Sequence, residues 1–252
     1  MDKLTLLGLV LGITGIMTGQ ILEGGDLSIL FQGAAFVIVL GGTLGAVLVQ
    51  CQARVLITAL RMGKWAFVEP QSNGRYLVRQ ITDWSVLARR DGVLALEARL
   101  PTIKDPFLKK GLQLLVDGTS PGKIREVLDV DIHRFEQLRW QSARVWEAAA
   151  GYSPTIGIIG AVLGLIHVMQ NLGEPAKLGG GIAVAFVATI YGVGSANLIF
   201  IPIAKKIINR MHEEVFIREL IVEGVLGIES GVNPYFLRTR LNAFLADRET
   251  VA

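Results

Sequence analysis

Four stretches of this chain, 4–22, 27–50, 151–172 and 179–204, contain no Asp, Glu, Lys or Arg. As helices rising 1.5 Å per residue, each is long enough to cross a hydrocarbon core of roughly 30 Å. A buried core helix could explain one such run. Four of them in 252 residues point to a polytopic membrane protein. The composition agrees: 51% of residues are hydrophobic and only 19% charged, well below the charged share of a soluble domain. The first run begins Met-Asp-Lys, as a secretory leader can, but lacks a clear small-residue cleavage site and is followed by three more runs. It is read as a retained span.

The basic residues set the orientation. No Lys or Arg lies between spans 1 and 2, and only Lys177 lies between spans 3 and 4. The segment between spans 2 and 3 is rich in both, and Lys205, Lys206 and Arg210 follow span 4 directly. The positive-inside rule puts both termini and the long segment in the cytoplasm. The expected organisation is a transmembrane hairpin (1–50), a cytoplasmic helical domain (51–150), a second hairpin (151–204) and a cytoplasmic tail (205–252). The fold class is all-α. Ser120 and Pro121 open a helix, and apolar Ile124, Leu128, Ile132, Phe135 and Leu138 keep helical spacing. No turn signal separates this helix from span 3, so one long helix is expected. A second long helix is expected to carry span 4 into the tail. Gly118 and Gly231 read as helix stops.

The spans carry stripes of small residues. Span 1 has Gly8, Gly12, Gly15 and Gly19; span 3 has Gly157, Ala161 and Gly164; span 4 has Ala185, Thr189, Gly192 and Ala196. Small residues at three- and four-residue spacing let another helix approach closely. Packing within the chain's own bundle is the expectation for span 1. The faces on spans 3 and 4 also suit a wall for a foreign helix.

Proton paths through membranes generally use ionisable side chains, and these spans contain neither Asp nor Glu. His167 is their one titratable imidazole, expected toward the outer side and read as a packing residue. If the chain conducts ions, a partner must bring the carboxylate. Thr189 could offer a hydroxyl near it, or could bond its own helix backbone. Enzyme chemistry finds no support: His133, His167 and His212 are scattered, and no HExxH, CxxC or Walker A pattern occurs. Cys51 is the sole cysteine, so no intrachain disulfide can form. A net charge of +3 gives no reason to expect nucleic-acid binding. No cofactor or metal is expected.

The runs GYSPTIGIIGAVLGLIHVMQNL (151–172), GGGIAVAFVATIYGVGSANLIFIPIAKK (179–206) and IVEGVLGIESGVNP (221–234), with RRDGVLALE (89–97) and KKGLQLLVDG (109–118), resemble the A subunits of the bacterial flagellar stator, the MotA/PomA family. The resemblance covers nearly the whole chain. It implies a multi-pass inner-membrane protein that forms a ring of five around two B subunits. Each B subunit carries a membrane aspartate and a peptidoglycan-binding domain. It also implies that spans 3 and 4 line the ion path, with Thr189, Ala161, Gly157, Gly164 and Ala185 as lining residues. The smooth stripe would face the B helix. Pro154 and Pro202 match two prolines that couple ion events to the cytoplasmic helices; a fixed bend is the plainer reading of each. Arg89 and Glu97 match a charged pair that meets the rotor's switch protein, with Arg90 adjacent enough to share the assignment.

Sodium-driven members of the family resemble this chain but carry threonine where it has Ala161, and a methyl group offers a hard cation no ligand. The ion implied is the proton. Two rivals are a transport energiser of the ExbB/TolQ type, which resembles a three-span layout, and a passive tetraspan scaffold without ion flow.

Overall fold

The computed structural model describes residues 3–67 and 74–249. Every regular element among them is helical. Span 1 is α1, Lys3–Leu22. Span 2 is composite: a 3₁₀ turn at Leu27–Leu30, α2 at Gly33–Phe36, a π turn at Val37–Gly41 and α3 at Gly42–Gln50. Extended backbone at Cys51 separates it from α4, Ala53–Gly63. Then come α5 (Gly74–Asp91), a ten-residue 3₁₀ segment (Val93–Thr102) and α6 (Pro106–Val116). The expected long helices are present. The first, α7, is one helix of 50 residues, Pro121–Gln170. The second joins α8 (Pro175–Ser195), a π turn (Ala196–Phe200) and α9 (Ile201–Glu229) without a gap. The last element is α10, Pro234–Glu249. Among the described residues four helical segments are long and apolar enough to cross a membrane, and each holds all or nearly all of one of the four uncharged runs.

Local chemistry explains the ends. Asp105 accepts hydrogen bonds from the backbone N–H groups of Phe107 (2.8 Å) and Leu108 (3.2 Å), and Pro106 fills the first helical position of α6. Gly118 (φ +70°) closes α6, with Thr119 N–H bonding back to Leu114 O at 3.1 Å. Gly231 (φ +65°) closes α9 in the same way, through Val232 N–H to Gly227 O. A left-handed residue there lets the last carbonyls find donors, and glycine adopts that conformation without steric cost.

The chain's contacts group into two compact units, 1–69 with 138–209 and 70–137 with 210–252. The divisions after 137 and 209 fall inside the long helices. The first unit holds the uncharged runs. Many large side chains exposed on its spans are apolar, among them Leu7, Leu11, Phe36, Leu44, Ile158 and Phe186. Such a surface suits hydrocarbon rather than water. Span 1 departs from expectation. It buries no residue, and a Cβ added at Gly8, Gly15 or Gly19 would meet nothing within 4 Å. Only Gly12 packs, against Leu198. The glycine stripe of span 1 is therefore left open instead of packing within its own bundle. A helix apolar on all sides can leave it so because lipid covers whatever protein does not.

The second unit has a conventional core. Ile81, Leu96, Leu112, Ile124, Leu128, Leu220, Ile221, Leu237 and Leu241 are fully buried. Close helix crossings use Gly111, beside Val225 and Leu128, and Gly224, beside Ile81. The Arg218 guanidinium lies 3.7 Å from the Phe135 ring centroid and 4.9 Å from that of Phe107. Glu223 accepts from both Arg125 (2.6 Å) and Arg240, tying α7 and α10 to α9. Truncating Leu128 to alanine is expected to cost about 2–5 kcal/mol by opening a cavity. The Leu94→Ala variant removes an exposed side chain and should stay within about 0.5 kcal/mol of the parent. Thermal unfolding of the detergent-solubilised full chain compares them; equal midpoints would contradict this core assignment.

Candidate functional site

The small-residue faces of spans 3 and 4 meet each other. A Cβ added at Gly157 would lie 2.8 Å from Ala188 O and 3.2 Å from Gly192 Cα. At Gly164 it would lie 2.8 Å from both Gly181 O and Ala185 N; at Gly192, 2.6 Å from Ser153 O and 3.2 Å from Pro154 Cα. These are approaches to backbone, which cannot swing aside. Two helices pack this closely only where neither has side-chain bulk. Gly157, Gly164 and Ala185 are consequently buried in a seam inside the chain. The expectation that their stripe faces a foreign helix is corrected to this extent: its glycines face the chain's own neighbouring span. Ala161 and Thr189 lie on the same helices and remain partly exposed. The Thr189 hydroxyl donates to Ala185 O at 3.3 Å, the helix-backbone bond that was the plainer expectation.

Two serines join the seam. Ser153 Oγ and Ser195 Oγ are 2.7 Å apart, Ser153 is fully buried, and Ser195 also donates to Tyr191 O at 2.6 Å. Sequence reasoning passed over both. The signal was present, because Ser153 is four residues before Gly157 and Ser195 three after Gly192, so each serine extends a small-residue stripe. Tyr191 donates from its hydroxyl to Leu30 O and stands edge-on to Phe36, fastening span 4 to span 2. Val39 and Ala35 pack against Val187 and Ala188 at that contact.

The two prolines differ in their surroundings. Pro154 lies inside α7 without interrupting it. Its own Cα is among the atoms nearest Gly192, so it is part of the seam. Pro202 follows the π turn at Ala196–Phe200, where Ile201 N–H bonds Ala196 O five residues back. Proline lacks the N–H that Leu198 O would take in an α-helix, and its ring crowds that carbonyl. The wider turn just before it carries the helix on without a break.

Arg89 and Arg90 end α5, and Glu97 lies on the 3₁₀ segment that follows the turn at Gly92. All three are exposed. Arg90 is engaged, donating through Nε (2.9 Å) and a terminal nitrogen (2.7 Å) to the Asp91 carboxylate. That hydrogen bonding holds the Asp91 carboxyl below its ordinary value and raises Arg90. Arg89 makes no ion pair among the described residues, so of these two exposed arginines it is the one not engaged with a carboxylate. His167 is exposed near Gly181, and Cys51 is partly buried beside Val47 and Ala59. Among the described residues no cluster of three His, Cys, Asp or Glu side chains could hold a metal.

A family model described as the MotA/TolQ/ExbB proton channel family matches residues 99–220, and one described as Motility protein A N-terminal matches residues 6–88. Motility protein A of Helicobacter pylori is 34% identical over 249 residues, covering 99% of this chain and 97% of that protein. The structure of C. jejuni MotAB aligns at a TM-score of 0.92 and 33% identity, covering 97% of this chain and 96% of the other. The flagellar MotAB stator complex from Bacillus subtilis aligns at 0.90 and 33%, covering 100% of both chains.

The seam predicts a contrast between glycines. Gly192→Ala places a methyl group on Ser153 O and should force spans 3 and 4 apart, lowering the thermal midpoint of the purified chain by several degrees. Gly15→Ala meets open space and should leave it unchanged or slightly higher. If both variants melted alike, the backbone contact would not be the constraint described.

Proposed function

The chain belongs to the MotA/TolQ/ExbB proton channel family, among the motility A proteins, and on that footing we propose that it is the ion-conducting A subunit of a bacterial flagellar stator, working with a B subunit to turn ion flow into torque. The match of the motility-specific model at 6–88 favours this over a transport energiser, since that segment contains the first two spans. The observation that carries the mechanism is a combination: four membrane spans without Asp or Glu, two of them closed on each other backbone to backbone. A chain built so supplies walls and leaves the ion-carrying group to its partner.

A B-subunit carboxylate held beside spans 3 and 4 sits in a medium of low dielectric. There its charged form is disfavoured until a cation arrives. Protonation removes that cost and frees the carboxylic acid to move past an apolar wall. Deprotonation on the other side restores the charge and the preference for a polar neighbour. Ala161 and Thr189, the partly exposed small residues of the two spans, line this path in our reading; Gly157, Gly164 and Ala185 act one layer behind by keeping the wall thin. Ala161 gives no oxygen to a dehydrated sodium ion, which supports protons as the ion. Pro154 and Pro202 transmit the event along α7 and the α8–α9 helix. Arg89 and Glu97 contact the rotor. The protein is multi-pass in the inner membrane, with both termini cytoplasmic, and five copies surround two B subunits.

Deleting this gene together with any second stator set should leave normal filaments on paralysed cells, and restoring this chain with its B partner should return swimming. Cells that swim normally without any stator gene would overturn the assignment. Two finer outcomes follow. Swimming speed should persist when sodium is removed at constant proton motive force, and a collapse would exclude the proton reading. Arg89→Glu should cut torque by far more than Arg90→Gln, because Arg90 is engaged with Asp91; equal losses in a tethered-cell assay would refute that distinction.

A further inference from the structure

Helix α4 carries features that the stator reading does not use. Its buried face is fixed at the level where the spans end. Val55 and Leu56 pack among Tyr152 and Phe200, and Ala59 packs on Val47 and Ala149. Met62 meets Ala143 and Ile207. The Trp146 indole N–H donates to Ala59 O at 3.0 Å, and a Cβ at Gly63 would lie 2.7 Å from the Trp146 ring. Phe200 lies inside the fourth uncharged run and Ile207 just beyond Lys205 and Lys206. Over its length α4 therefore crosses the depth at which charge reappears, which is the headgroup zone.

Its other face mixes aliphatic and basic side chains. Ile57 is 50% and Leu60 56% exposed, and Arg54, Arg61 and Lys64 are exposed alongside them. None of the three cations makes an ion pair among the described residues. The sequence from 27 to 68 contains no Asp or Glu at all. The described carboxylates of this unit are Glu23, Asp26, Glu147 and Glu174, and three of these lie in the turns at the opposite ends of the spans. Among the described carboxylates only Glu147 shares this end with Arg54, Arg61, Lys64, Arg144 and Lys205. Among the described residues a second copy of the unit would bring the same excess of positive charge. An anionic headgroup brings the opposite charge.

We propose that the exposed face of α4 is a binding surface for anionic phospholipid, with Arg54, Arg61 and Lys64 holding headgroup phosphates and Ile57 and Leu60 contacting the upper acyl chains. Long basic side chains reach from an apolar surface to the phosphate layer, and each contributes to the attraction. The patch depends on charge, not on a specific headgroup.

The test uses the full-length chain purified in detergent and offered phosphatidylglycerol or phosphatidylcholine, with bound lipid counted by native mass spectrometry. Phosphatidylglycerol should be retained and phosphatidylcholine should not. Each cation replaced in the series Arg54→Gln, Arg61→Gln, Lys64→Gln should weaken retention roughly fivefold. The charge-keeping pair Arg54→Lys and Arg61→Lys should retain it. On the parent protein, raising salt should release the lipid, since exposed charges are screened within about 10 Å at 0.1 M; this arm stands even if a glutamine variant does not fold. Equal retention of both lipids, retention unchanged in the triple variant, or retention indifferent to salt would each overturn the proposal. So would a triple variant that keeps its lipid but changes its subunit count, which would assign the face to a second copy. None of these readouts depends on whether the protein drives a flagellum.

Discussion

The contact on which the membrane unit depends is the backbone approach of span 3 to span 4. In lipid there is little hydrophobic gain from bringing two apolar helices together, because hydrocarbon covers either face equally well. Association has to come from close packing and from polar groups with nowhere else to go. Gly157, Gly164, Gly181 and Gly192 supply the first, each facing backbone or small side chains of the other span. Ser153 and Ser195 supply the second, a hydroxyl pair with Ser153 buried and Ser195 partly buried, whose alternative partners within reach are helix carbonyls. The seam also decides what lies elsewhere. A path for ions cannot run between two helices whose backbones touch. On the proposed function it runs along their outer faces, where Ala161 and Thr189 are still partly open.

The prolines become intelligible in the same frame. A proline in a lipid-embedded helix strands a carbonyl, and in hydrocarbon that carbonyl has no water to turn to. At Pro202 the helix widens into a π turn one step earlier, and Ile201 N–H reaches back to Ala196 O. At Pro154 the helix continues, with Gly192 lying against Pro154 Cα and Ser153 O. Both prolines are therefore accommodated within unbroken helices of 50 and 55 residues.

The spans, their number and the two long helices were legible because they rest on composition. Twenty uncharged apolar residues have few structural options, and missing turn signals mean uninterrupted helix. The stops at Gly118 and Gly231 were legible because left-handed backbone selects glycine. What a small-residue stripe faces was not legible. The spacing that lets Gly157 approach Ala188 is the same spacing that would admit a helix from another chain, so periodicity could not separate them. The same ambiguity misplaced the stripe of span 1, which stays open except at Gly12. The ten-residue 3₁₀ segment at Val93–Thr102 gave no warning either. Its conformation depends on burying Leu96 and Leu100 in a core built from distant segments. That Arg90, and not Arg89, is engaged with Asp91 could not be read from the order of residues alone.

A wall without acids has a further consequence for how this subunit can be tuned. Where a protein owns its ion-binding carboxylate, burial and neighbouring charges set that group's affinity directly. Here the spans contribute no such group, so substitutions in them act on the partner's carboxylate only through space, polarity and access. A methyl group at 161 leaves the carboxylate's surroundings apolar, which penalises its charged form and favours a bound proton over a partly hydrated metal cation. The Thr189 hydroxyl is a polar exception on span 4, and its bond to Ala185 O is long at 3.3 Å. On the proposed function, a donor held that loosely would leave its own backbone for a carboxylate that has just lost its proton, and return when the proton is regained. In that arrangement one weakly engaged hydroxyl in an apolar surface gives the moving group a place to pause, and the apolar surface on either side gives it a reason to be neutral before it leaves.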